Sequence, residues 1–499
     1  MRLRTTFRHL LLAASYGVVG IVVAGLTLFI SHMRDRPDLQ PWHLAALDGE
    51  FSAADSDRIR GLGDYLRLED ELFAELDAEV YSKLPENLSR INRFRRGSVV
   101  DPASFGQNWN RTFELPVERP RAGFLMLHGL SDSPYSWRAL GQALHERGIW
   151  VVGLRLPGHG TAPVGLAEVD WQDFTAAVRL AARDMAAKLG AERPLYLAGY
   201  SNGAALAVQY SLAVLEGEDL PRPAGLLLIS PAIAVSSTAA LAEWSLRLAR
   251  LPGLEKLAWL SILPEYDPFK YNSFAVNAGQ QIYGLTSDIA ARIDRLDPGT
   301  GIRDFPPILG FQSVVDSTIP PAALVQSLLA RLAPNKHRLV LFDVNREADT
   351  AALFAADPRA AVEELLQHEL PFELDLITNR DPQSLDLMAV HKAALEPGFS
   401  EQPLALAWPK EIYSLSHVAL PFPADDPAYG ASDAAAGRDV TLGSVELRGE
   451  LAVLQVPLEQ FMRLRYNPFF PYLRQAVLDR YASNPEAGQS VPTAKVRAP

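Results

Sequence analysis

Residues 194–208, PLYLAGYSNGAALAV, constrain the fold more than any other stretch. The apolar run at 195–198 predicts a short buried strand. Gly199-Tyr200-Ser201-Asn202-Gly203 predicts a tight turn, and the small apolar residues after it predict a helix to about Leu215. A serine between such a strand and helix sits on a sharp, strained bend, with its hydroxyl exposed above the sheet. A side chain at 199 or 203 would collide where strand and helix nearly touch, and glycine tolerates unusual backbone angles. The pentapeptide alone is a weak signal. Its apolar strand and small-residue helix make Ser201 a candidate nucleophile rather than a plain turn residue or helix cap.

Apolar runs at 123–127, 149–154, 195–198, 226–229, 308–311 and 338–342 alternate with helical patterns. That alternation argues an α/β class with a mostly parallel sheet covered by helices. In such sheets the chemistry lies beyond the carboxyl ends of the strands. After the first run comes His128-Gly129-Leu130. An activated serine needs backbone N–H groups aimed at the developing oxyanion, and the N–H groups of Leu130 and Asn202 are the candidates. His128 reads as a prop for its loop. His159, within Leu156-Pro157-Gly158-His159-Gly160, reads as a positioning residue, because it precedes the nucleophile.

Asp316 follows the fifth run and is the candidate acid, able to orient a histidine; a helix N-cap is its plain alternative. The base must then come from His337, His368, His391 or His417. His337 precedes a strand, at the wrong end of the sheet. His368 falls in a helical pattern and His391 in a polar helix. His417 falls in a loop after the last core strand and is the candidate base.

Taken together, His128-Gly129, Leu156-Pro157-Gly158-His159-Gly160, the Ser201 pentapeptide, Asp316 and His417 resemble the α/β-hydrolase superfamily. Within it the similarity is greatest to monoacylglycerol lipase and lysophospholipase-like serine hydrolases. It spans roughly residues 122–342 and the surroundings of His417. The resemblance implies a cofactor-free esterase or lipase with a Ser201–His417–Asp316 triad, acting on a small-molecule or lipid ester. The chain departs from the pattern in its long separation of Asp316 from His417, in its extra N-terminal segments, and in Asn202, where methionine is frequent. An amidase, thioesterase or peptidase would use the same triad, and a non-catalytic membrane-tethered scaffold would have the same outline.

Residues 10–30 carry no charged side chain. At ~1.5 Å per residue they span about 30 Å, the thickness of a hydrocarbon core. Arg2, Arg4 and Arg8 precede them, while Arg34 and Arg36, interleaved with Asp35 and Asp38, follow; this modest positive bias favours a cytoplasmic amino terminus, with the rest of the chain on the outer side, periplasmic in a Gram-negative cell. The run is long for a cleaved signal and no small-x-small site follows it. Residues 63–80 predict an amphipathic helix bracing the main domain, since their polar face is acidic.

The expected domains are a tip and anchor at 1–35, a linker and helical extension at 36–121, a hydrolase domain at 122–481, and a disordered tail at 482–499. Within the hydrolase domain, 231–306 read as an apolar cap and 343–415 as an insertion with an added strand near 372–377. Apolar patches at 440–442 and 451–454 read as added strands or core-packing segments. The net charge of −12 argues against general nucleic-acid binding. The chain has no cysteine, which removes disulfides and thiolate chemistry. Phosphate-loop, dinucleotide and zinc-protease patterns are missing, so neither a metal nor an organic cofactor is expected.

Overall fold

The computed structural model describes residues 2–85, 87–233, 242–316, 318, 320–347, 359–410, 412–431, 442–444, 456–461 and 463–483. Among the described residues the chain is built on a ten-stranded sheet in the order β1-β3-β2-β4-β5-β8-β9-β10-β11-β12. These are β1 (Phe113–Leu115), β2 (Gly123–Leu127), β3 (Trp150–Leu154), β4 (Leu195–Tyr200), β5 (Gly225–Ile229), β8 (Ile308–Ser313), β9 (Arg338–Phe342), β10 (Glu373–Asn379), β11 (Asp386–Lys392) and β12 (Ser400–Ala407). A separate pair, β6 (Trp259–Ser261) and β7 (Phe274–Ala275), lies between β5 and β8. The strands from β3 to β10 pair in parallel; β1 joins antiparallel at one edge, and β11 and β12 at the other.

The parallel strands are buried on both faces, which explains why they read as continuous apolar runs instead of alternating ones. Leu125, Leu127 and Leu197 point into one core with Phe174, Ala181 and Met185 of the helix Trp171–Leu189 and Leu206 of the helix Asn202–Leu215. Phe124, Met126, Ala198 and Tyr200 point into the other, with Leu140 and Leu144 of the helix Arg138–His145 and Leu473 and Val477 of the helix Phe470–Tyr481. The six runs expected as strands are β2, β3, β4, β5, β8 and β9.

The expected added strand is β10, parallel to β9. It starts a three-strand extension that carries the sheet away from the Ser201 turn. His391 differs from its sequence reading: it lies in β11, not in a polar helix. Its run of polar and apolar residues fits either period, and pairing with β10 decides it. The edge strand β12 is largely exposed and carries Glu401 and Pro403, which blunt an open edge.

The helix Leu62–Glu79 buries Leu62, Tyr65, Leu68, Leu72, Phe73 and Leu76, the face expected of a brace. The helix Arg2–Asp35 is exposed from Leu12 to Ile30 wherever its side chains are described, and Met33 near its end is buried. Its segment Leu12–Asp35 is long and apolar enough to cross a membrane. The patches at 440–442 and 451–454 lie outside the described residues except for Leu442, and the tail does so from 484.

Candidate active site

Ser201 follows the last residue of β4 and caps the helix Asn202–Leu215 with φ 55° and ψ −115°. A non-glycine residue at positive φ stores strain, and here the flanking packing holds it there. A Cβ on Gly199 would lie 2.3 Å from the Cα of Ala204, and one on Gly203 would lie 2.0 Å from the carbonyl oxygen of Leu127. Both collisions are with backbone, so neither position accepts a side chain. The Ser201 N–H donates to the Ile229 carbonyl at 2.9 Å, and the Ser201 carbonyl accepts from the Ala232 N–H at 3.1 Å. The turn is thus tied to the end of β5 and to the loop after it.

The loop after β2 closes over this turn. A Cβ on Gly129 would lie 3.3 Å from the Cβ of Ser201, so Gly129 lets the loop approach the serine. Leu130 and Asn202 line the same cavity as Ser201. The N–H of Asn202 is the first of its helix and has no intrahelical acceptor. His128 is buried; its Nδ1 shares a hydrogen bond with the Gly129 carbonyl at 2.9 Å, and its Nε2 accepts from the Leu156 N–H at 3.0 Å. Burial, joined by the nearby His159, holds its imidazole well below the usual pKa, so it is neutral. His159 is also buried, with Nδ1 against the Pro157 carbonyl at 2.8 Å. Desolvation lowers its pKa to about 3. Both rings are neutral props between the two loops, as their sequence positions suggested.

Asp316 lies three residues beyond β8, and its N–H donates to the Ser313 carbonyl at 3.2 Å. One carboxylate oxygen accepts from the Thr318 N–H at 2.9 Å. The other lies 2.8 Å from Nδ1 of His417. Both groups are largely buried. The His417 ring lies 5.6 Å from that of Tyr200, and Ser201 and His417 face the same cavity of about 370 Å³. The five residues expected from the sequence are therefore brought to one place, with Asp316 behind His417. His337 and His391 lie elsewhere: His337 accepts from the Ile308 N–H at the start of β8, and His391 pairs with Asp375 on β10.

Sequence reasoning missed the charged and polar part of this cavity's lining. Lys270, Arg463 and Arg465 belong to it, with Asn272 and Gln460. Lys270 Nζ lies 3.2 Å from Asp132, and Arg465 lies 3.0 Å from buried Asp267. Nothing in the local pattern singles these residues out, because they come from residues 270–272 and 460–465 and meet only in the fold. Among the described residues no group of three or more His, Asp or Glu side chains is placed to hold a metal ion.

Residues 118–344 match the family model for serine aminopeptidase, S33. No curated protein matches the chain. Among solved structures, a metagenome-derived lipolytic enzyme of the LipS and LipT study is 21% identical, covering 52% of this chain and 98% of its own, with a TM-score of 0.38. A monoacylglycerol lipase of Paleococcus ferrophilus is 19% identical over 51% of this chain and 97% of its own, with a TM-score of 0.35. A soluble variant of the monoglyceride lipase of Saccharomyces cerevisiae is 16% identical over 46% of this chain and 81% of its own, with a TM-score of 0.34. A parallel sheet that hands its chain to a helix through a strained serine, within the span that the family model matches, gives this protein an α/β-hydrolase fold.

Proposed function

We propose that the protein is a membrane-anchored serine hydrolase that cleaves carboxylic esters through an acyl-enzyme. The observation that carries this reading is the 2.8 Å contact of His417 Nδ1 with Asp316, with the same ring facing a cavity shared with Ser201. Asp316 accepts the Nδ1 proton and fixes the tautomer, leaving Nε2 free to act as base. His417 Nε2 takes the Ser201 proton as Oγ attacks the ester carbonyl carbon. The N–H groups of Leu130 and Asn202 receive the oxyanion. The intermediate collapses, His417 returns the proton to the leaving alkoxide, and an alcohol departs. Water repeats the sequence on the acyl-enzyme and releases the acid and free Ser201.

The domain scheme of this reading is an anchor at 1–35, an extension at 36–121 and a hydrolase domain at 122–481. The anchor places that domain on the outer side of the membrane, supported by the basic residues before the apolar helix. A second reading has one observation behind it. The matched family is described as a serine aminopeptidase, so an amide substrate would use the same serine.

Fluorophosphonate labelling of the full chain in detergent, with peptide mapping, tests the mechanism. The expected adduct is on Ser201 and is lost in His417→Ala. Folded protein that stays unlabelled in detergent would reject an activated serine. Matched ester and amide substrates of equal acyl length then separate the two readings, with the ester turned over faster.

A further inference from the structure

The chain carries a formal charge of −12, yet three cations line the cavity that holds Ser201. Two of them already have partners. Lys270 is paired with Asp132 on the loop after β2, and Arg465 with Asp267, whose other carboxylate oxygen accepts from the Phe269 and Lys270 N–H groups. Arg463 is different. It lines the cavity, its side chain is exposed, and no described residue offers it a hydrogen bond or an ion pair. It is therefore the surplus charge of the lining. A guanidinium offers a fork of N–H donors that suits the paired oxygens of a carboxylate or phosphate. Lys270 and Arg465 are each balanced by their own counter-ion, so the uncompensated positive charge of the cavity is that of Arg463.

The setting narrows the role further. An acyl chain alone would be served by apolar lining, and Leu130, Phe274, Ile282 and Val418 supply such lining. The cations have no use for a hydrocarbon. Arg463 and Arg465 also lie beyond residues 118–344, so the family match does not account for them. We infer that the Ser201 cavity selects substrates with an apolar acyl part and an anionic group, carboxylate or phosphate, which Arg463 binds. This inference rests on the proposed hydrolase reading and names the substrate class of that site.

Two matched pairs test it on the full-length protein in detergent, and they separate the two sources of the anion. Oleoylglycerol phosphate against oleoylglycerol places a phosphate on the leaving alcohol. The p-nitrophenyl monoester of glutaric acid against p-nitrophenyl pentanoate places a carboxylate on the acyl end. The expected result is a KM about tenfold lower for the anionic member of at least one pair, the scale of one charge-assisted hydrogen bond. The preference shrinks as salt rises. Arg463→Ala brings the two members level, and Arg463→Lys restores part of the difference.

Turnover of the neutral esters with no anionic preference in either pair would overturn the inference and leave the hydrolase reading intact. A preference that survives Arg463→Ala would overturn it as well. If no ester is turned over, the hydrolase reading falls, and binding decides the rest. Ser201→Ala full-length chain in micelles should then hold oleoylglycerol phosphate about tenfold more tightly than oleoylglycerol. Equal binding would overturn the inference on its own.

Discussion

At the scale of single residues, the site depends on which proton each histidine carries. Asp316→Asn preserves shape but can donate to Nδ1, which turns the imidazole to the tautomer unable to take the Ser201 proton. A fall in kcat of about 10⁴-fold is expected on this argument, with melting temperature little changed. Burst kinetics with p-nitrophenyl esters would read it, and near-normal turnover would remove Asp316 from the triad. His337 offers a test of a different kind. Its Nδ1 accepts from the Ile308 N–H at 3.2 Å, and burial lowers its pKa to about 4. Unfolded, the ring titrates near 6.5. Between those values the unfolded chain binds a proton that the fold refuses, so this group's contribution is full above pH 6.5 and is lost as pH falls towards 4. The slope is about 1.4 kcal/mol per pH unit over that window. His337→Asn keeps an acceptor without a basic ring. Urea titrations at pH 7 and pH 5 should show the variant losing less stability on acidification than the parent chain, whereas equal losses would show that His337 is protonated in the fold.

At the scale of elements, the extension before the sheet is tied to the loop after β3 by one buried cation. Arg155 is fully buried and paired with Glu50 at 2.9 Å and with Glu69 of the helix Leu62–Glu79 at 3.1 Å. Glu50 also accepts from the Gly158 N–H at 2.8 Å, and Glu69 from the Thr112 N–H at 2.9 Å. Burial pushes the Glu69 carboxyl up, against the pull of Arg155. Arg155→Met removes the cation and strands both carboxylates, and is expected to cost about 3–5 kcal/mol in urea unfolding. Adding Glu50→Gln and Glu69→Gln should return much of that loss, because the stranded charges go with them. A triple variant no more stable than the single one would contradict this account. Nothing in the sequence announces the network, since Glu50 and Arg155 are 105 residues apart. The Ser201 turn was legible for the opposite reason. Its strand, turn and helix are contiguous, and glycine at 199 and 203 follows from local sterics. Asp316 and His417 could be proposed because each follows a strand or enters an apolar stretch. The short β1, with three residues of mixed polarity, gave no period to read. β11 was lost to the ambiguity of its run, and the cations lining the Ser201 cavity became visible only when Lys270 met Arg463 and Arg465 in the fold.

At the scale of the whole molecule, the apolar helix is joined mechanically to residues 256–261, within the stretch proposed as a cap. The segment Leu12–Asp35 has 24 residues and spans about 36 Å, enough for a bilayer with some tilt. Directly after it, the Arg36 guanidinium donates to the carbonyls of Lys256 at 2.7 Å and Trp259 at 2.5 Å. Lys256 Nζ returns a bond to the Arg36 carbonyl at 2.8 Å and pairs with Asp38. Trp259 begins β6, whose last residue, Ser261, lines the Ser201 cavity. A retained anchor would therefore hold the cap beside the membrane surface, whereas a cleaved signal would release the chain to the soluble fraction. Alkaline carbonate washing of membranes distinguishes these outcomes: the full-length chain should stay in the pellet, and its appearance in the wash would reject the anchor. Arg36→Ala then tests the joint itself. The anchor should still hold, but amide hydrogen exchange at 256–261 should rise about tenfold or more, the effect of losing charge-assisted bonds worth about 1.5 kcal/mol or more. Exchange in β4 and β5 should not change, because their amides are closed by the sheet and not by Arg36. Uniformly faster exchange would mean that the substitution unsettles the fold as a whole. Unchanged exchange at 256–261 would mean that the cap is held by its own packing, and that the membrane fixes the position of the helix without fixing that of the site.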